Sequence, residues 1–156
     1  MVLLLLSSNI LRMNNNNLLE IQIYAGDGYK PLVDFESWRV AMLNYSPALL
    51  PENLTQMQRH NETDEVFVLL QGRCILFVSE GRETANGIHA VDLEQGKVYN
   101  VKKAVWHTHT LSKDAKVLVV ENCDTTYDNS PFTPLTAAQQ QHLVRLTRSL
   151  WTTNKP

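Results

Sequence analysis

From residue 20 to residue 122 the chain is a succession of short β-type runs separated by turn signals. Leu19–Tyr24 alternates apolar and polar residues until Gly26-Asp27-Gly28 breaks the pattern, and Trp38–Tyr45 makes the next run. The segment from Ser46 to Asn53 carries two prolines and reads as a loop, because proline cannot serve a central strand. Met57–His60, Glu65–Leu70 and Arg73–Ser79 follow, with Gly72 at a tight connection. The polar stretch from Glu80 to Gly87 ends in Asn-Gly and predicts a hairpin tip. Ile88–Leu93, Val98–Val101, Trp106–Leu111 and Lys116–Asn122 complete the set. Many short strands at roughly even spacing predict an all-β antiparallel sandwich or barrel.

The tail departs from this pattern. Thr136 and Gln139 have capping-box spacing, with Leu135 placed as a hydrophobic staple. Leu143, Leu146 and Leu150 then recur at helical spacing. A short amphipathic helix within 134–156 is expected to pack on the outside of a β body spanning 18–133. At the other end, Val2–Leu6 is apolar but far too short to span a bilayer, and it lacks the layout of a signal peptide. Asn14–Asn17 is a polar run unsuited to a core. Residues 1–17 are therefore expected to be a flexible or extraneous extension, with 1–12 lying upstream of a more ordinary start at Met13.

The net charge is −2 and the basic residues are scattered, so no nucleic-acid or anionic-membrane footprint is expected. Cys74 and Cys123 both fall in apolar runs and read as free thiols of a reducing, cytoplasmic compartment.

Two stretches carry the chemistry. Gln58 and His60 share one face of a strand by period-2 alternation, as do His107 and His109. Glu65 opens the strand after His60, and pairing of Met57–His60 with Glu65–Leu70 as a hairpin would turn His60 and Glu65 toward one interior. Imidazole and carboxylate donors converging from separate strands suit a divalent metal such as Zn, Mn, Fe or Ni. An amide oxygen is a weaker ligand, so Gln58 either binds metal or hydrogen-bonds a bound molecule. His109 is a fourth ligand, a general base or a group that orients another ligand.

The order Gln58-x-His60-x4-Glu65-x6-Gly72 resembles the first motif of the cupin family, His-x-His-x(3,4)-Glu-x6-Gly, with Gln58 in place of the first histidine. The stretch from Gly96 to His107 is similar to the second motif, with Lys102, Ala104 and Leu111 standing where proline, glycine and asparagine are usual. The resemblance covers roughly Trp38 to Asn122 and implies a small antiparallel jelly-roll barrel, often dimeric, with a metal in its mouth. Carried over by position, it implies His60, Glu65 and His107 as ligands and Gln58 at the fourth ligand position. A small-molecule ligand or substrate is then the expected partner, with His109 or Glu62 moving a proton and Tyr99 and Trp106 lining the pocket. A sugar, a hydroxy acid or a ureido acid such as ureidoglycolate suits that chemistry, by lyase, isomerase or hydrolase action. A non-catalytic sensing or binding cupin is the other expectation. A homodimer is expected too, with the strand over 18–24 covering an exposed edge.

Overall fold

A computed structural model describes residues 13–15 and 18–153. Twelve strands run in chain order: β1 Met13–Asn15, β2 Leu19–Ile21, β3 Tyr29–Phe35, β4 Trp38–Asn44, β5 Gln56–Gln58 and β6 Glu65–Gln71. After them come β7 Cys74–Ser79, β8 Ile88–Asp92, β9 Tyr99–Val101, β10 Trp106–Leu111, β11 Lys116–Asn122 and β12 Phe132–Pro134. One α-helix, α1 Ala137–Thr153, closes the described chain, and two short 3-10 turns, Pro47–Leu49 and Pro51–Asn53, lie between β4 and β5. No described helix is long and apolar enough to cross a membrane.

The strands form two five-stranded antiparallel sheets, β12-β5-β10-β7-β8 and β3-β4-β11-β6-β9, with β1 and β2 as a separate ribbon. The sheets pack face to face. Ala41, Leu43, Phe67, Leu69, Val117 and Val119 of one meet Cys74, Leu76 and Leu111 of the other in a single buried cluster. No strand pair joins the two sheets among the described residues, so the body is a sandwich with open edges rather than a closed barrel. Both cysteines are free thiols, but only Cys74 is buried in the core; Cys123 is half-buried and its thiol donates to Glu36 O at 2.9 Å.

Alternation along β7 explains how one strand serves two cores. Cys74 and Leu76 face the other sheet, while Ile75 and Phe77 face outward. There they join Met57, Trp106 and Leu143 in a second cluster beneath α1. The helix begins as the sequence predicts. Gln139 N–H donates to Thr136 Oγ1 at 3.2 Å, and Thr136 N–H donates to Gln139 Oε1 at 2.8 Å.

Several expectations change. β5 and β6 do not form a hairpin. They lie in opposite sheets, because the turn over 61–64 carries the chain across the sandwich. β5 also ends at Gln58, so His60 is not a strand residue. Its neighbours still make ladder-like bonds with the segment before β12, Arg59 N–H to Pro131 O and Asn61 N–H to Asn129 O. β2 is shorter than the predicted Leu19–Tyr24 run and pairs with β1 inside its own chain. β3 and β12 are absent from the sequence reading for one shared reason. Each contains a proline, Pro31 or Pro134, and each is an edge strand, where a missing N–H does no harm. Of the extension expected over 1–17, residues 1–12, 16 and 17 lie outside the described residues, while Met13–Asn15 form β1 and pair with β2.

Candidate metal centre

Register brings the centre together. On one sheet, His107 of β10 pairs with Gln58 of β5 and with Val78 of β7. On the other, Glu65 of β6 pairs with Val101 of β9. These two rows face each other, and His107 Nε2 lies 2.7 Å from Glu65 Oε2. His60 reaches the same oxygen from the loop after β5, with Nε2 at 3.1 Å. All three side chains are buried, and their donor atoms lie within 4.8 Å of one another. His60, Glu65 and His107 can hold a metal ion.

The hydrogen bonds behind the two imidazoles decide which way their lone pairs point. His107 Nδ1 is 2.9 Å from the Val105 carbonyl, which only accepts, so Nδ1 carries the proton. Ser130 Oγ donates to Asn129 Oδ1 at 3.1 Å and so accepts from His60 Nδ1 at 2.7 Å. Each ring, when neutral, therefore turns a bare Nε2 lone pair toward a carboxylate oxygen. Lone pairs and a carboxylate repel at such distances unless a cation, a proton or a metal ion, stands among them. A His/His/Glu donor set of this kind suits a borderline divalent ion, and the backing bonds fix the ring orientation a ligand needs.

The titration of the metal-free site shows the same demand for positive charge. Burial alone would push the Glu65 carboxyl up, yet the hydrogen bonds from His107 and His60 bring it down to about 2. Burial opposes a charged His60, but Glu65 outweighs it and raises its pKa above the usual 6.5.

Local backbone holds these groups in place. Asp64, next to Glu65, accepts from Lys103 N–H at 2.8 Å, from Asn100 Nδ2 at 3.0 Å and from Lys102 Nζ, clamping the 61–64 turn to the loop after β9. Ala104 follows in that loop with φ +64°, donating its N–H to His60 O at 2.7 Å. This is the position where the resembled motif has glycine. A left-handed alanine is strained by about 1 kcal/mol, so Ala104→Gly is expected to stabilise the fold by up to ~1 kcal/mol, less the entropy that glycine adds to the unfolded chain. Urea unfolding checks it, and a destabilised variant would refute the strain at this turn. Gly72 is left-handed too, and a Cβ there would lie 2.6 Å from Ala115 Cα.

A cavity of about 400 Å³ opens beside the centre. Gln58, His60, Glu65 and His109 line it, against apolar walls that include Leu43, Leu49, Phe67 and Val119. Gln58 makes no side-chain hydrogen bond among the described residues and is free to meet a ligand or the ion. His109 shares the inward face of β10 with His107, and burial lowers its pKa to about 4, so it is neutral at pH 7. Its Nδ1 is buried without a partner among the described residues.

Three expected site residues lie elsewhere. Trp106 is adjacent to His107 on β10 and so points to the opposite face, where it packs under α1 with the Arg59 guanidinium 4.5 Å from its ring. Tyr99 faces inward but packs on the main core, its hydroxyl accepting from Glu94 N–H at 2.9 Å, and it does not line the cavity. Glu62 is exposed in the turn, 3.3 Å from Asn129 Nδ2, and is likewise outside the cavity. The sequence reading missed Tyr29, Arg39, Glu121 and Ser130, which the structure brings to the site. Glu121 had a signal: on β11 it completes the inward stripe Val117, Val119, Glu121, an acid in an apolar row. Tyr29 lay on the unpredicted β3 and had none.

Two facing antiparallel sheets with this centre between them make a cupin-type fold. Solved structures with the same fold include CapF bound to 3-isopropenyl-tropolone, with a TM-score of 0.55 at 13% identity over 83% of this chain and 36% of that one. A variant of Streptomyces Pac13 with uridine has a TM-score of 0.51 at 9% identity, over 91% of this chain and 98% of that one. A cupin-2 domain protein from Shewanella frigidimarina aligns at a TM-score of 0.45 and 17% identity, over 63% of this chain and 84% of that one. At these identities the likeness to CapF and Pac13 is one of fold alone. No protein-family model and no curated protein matches the chain.

Proposed function

We propose that the chain is a metal-dependent enzyme that binds a small polar metabolite in the cavity beside His60, Glu65 and His107. The observation that carries this reading is the convergence of two Nε2 atoms on the same Glu65 oxygen, with both Nδ1 protons committed elsewhere. When bound, a divalent ion supplies a Lewis acid able to polarise an oxygen of the ligand. The protein supplies the rest. Leu43, Leu49, Phe67 and Val119 give the cavity apolar walls against which a ligand can pack. Neutral His109 can accept or return a proton at its ring nitrogen. Gln58 can orient a ligand oxygen or nitrogen through its amide. Lyase, isomerase or hydrolase chemistry on a sugar, hydroxy acid or ureido acid fits this set. The homodimer expected from the sequence is part of the same reading and rests on the exposed Leu19, Ile21 and Ile23.

Elemental analysis of the purified protein tests the centre. One divalent ion per chain is expected, either as isolated or after incubation with Zn, Mn, Fe or Ni salts. A chain that stays empty under all four would end this reading.

A further inference from the structure

Glu121 stands beside the centre for a reason of register. The ladder that pairs Val120 with Val66 carries Glu121 alongside Glu65, and on its other side Glu121 pairs with Arg39. Two neighbouring carboxylates on one inward face repel each other, and each is held by different partners. Glu65 lies between two imidazoles. Glu121 accepts the Tyr29 hydroxyl on Oε1, with Arg39 Nη1 3.9 Å from the same oxygen. Arg39 is itself committed to Asp34, through Nε at 2.8 Å and Nη2 at 3.1 Å.

Glu121 Oε2 has no hydrogen-bond partner among the described residues, although Glu121 is only 7% exposed and lines the cavity. Glu121 lines the cavity, so this second oxygen is open to a donor brought by a ligand. We propose that Glu121 is the ligand-selecting carboxylate of this cavity: it receives a hydroxyl or amine of a molecule seated at His60, Glu65 and His107, and it turns away a ligand carboxylate. The inference rests on the metal reading above and narrows it, from sugars and acids alike to neutral hydroxylated or amino metabolites. Tyr29 and Arg39 are positioning residues, holding one oxygen of Glu121 so that the other faces the ligand. Burial pushes the Glu121 carboxyl above its usual range, so it is best examined at pH 8.

Cobalt(II)-loaded protein gives a direct readout, because its visible absorption responds when a ligand enters the centre. Acetate is the anionic probe. Glu121→Gln removes one like charge beside the site and is expected to tighten acetate binding about tenfold over wild type. Glu121→Val, uncharged and suited to a strand, is expected to do the same. Tyr29→Phe leaves the charge in place, so its acetate affinity stays within about twofold of wild type. Equal acetate binding by wild type and both Glu121 variants, or acetate bound by none of them, overturns the inference. Tightening in Tyr29→Phe as large as in Glu121→Gln also overturns it, since that result reports a loosened cavity rather than a removed charge. Wild type without a cobalt band removes the metal centre itself and the inference with it, a result distinct from a loaded centre indifferent to Glu121.

Discussion

His107→Ala is expected to weaken divalent-metal binding by more than about 100-fold, because loss of an outer-shell partner alone costs 10–100-fold at such sites. His107 supplies the shortest contact to Glu65, at 2.7 Å, and it is almost wholly buried, so no water-exposed side chain can swing in to replace it. The Val105 carbonyl that fixes its tautomer would also lose its donor. His60→Ala is expected to act in the same direction, since it removes the second Nε2 and releases Ser130. Glu62→Ala is the matched control: the residue is exposed and outside the cavity, and its change should leave metal affinity within about twofold, as for surface positions generally. Competition against a chelator of known strength measures all three, with circular dichroism to confirm the fold. Metal affinity in His107→Ala within tenfold of wild type would mean that the ion sits elsewhere.

The contrast between those variants also shows how far the sequence could be read. Parity within a strand is a local property, so the placing of His107 and His109 on one face is legible directly, and the outward turn of Trp106 follows from the same alternation. The spacing from Gln58 to Gly72 located two of the three converging groups, His60 and Glu65, without locating the elements that hold them. His60 turned out to be a loop residue, and it meets Glu65 because their elements lie in opposite sheets. No local pattern announces a crossover of that kind, since a four-residue polar turn serves a hairpin as well as a sheet-to-sheet connection. Edge strands were hidden by their prolines, and with β3 went Tyr29. Arg39 and Glu121 needed the register of β4 on β11, in which these two residues pair although they are more than eighty positions apart. Local chemistry was legible in the chain, whereas the neighbours that tune it follow from long-range pairing.

The metal-free protein is expected to lose stability toward acid pH and again as pH rises above 6.5, while the metal-loaded protein keeps its stability up to pH 8. Buried His109, lowered to about 4, costs stability as pH falls below 6.5, and the two ligands Glu65 and His60 add their own limbs. Glu65 falls from 4.5 in the unfolded chain to about 2 in the folded one, so its contribution is fully present above pH 4.5 and is lost as pH drops through about 2. That shift corresponds to about 3 kcal/mol, or on the order of 10 °C in melting temperature for a domain of this size. His60 moves the other way, from 6.5 upward, so its contribution is complete below pH 6.5 and is lost as pH rises through its folded value. A divalent ion takes the place of the proton among Glu65 and the two imidazoles, and it binds the deprotonated forms. Raising the pH therefore strengthens the loaded centre while it weakens the empty one. Thermal melts of both forms from pH 3 to pH 8 check this, and the gap between them should widen steadily above pH 6.5. Glu65→Gln should flatten the acid limb of the metal-free profile and abolish the gap, because it removes the carboxylate on which both histidines converge. Parallel profiles for the two forms across pH 6 to 8 would show that proton and metal do not compete for these three side chains.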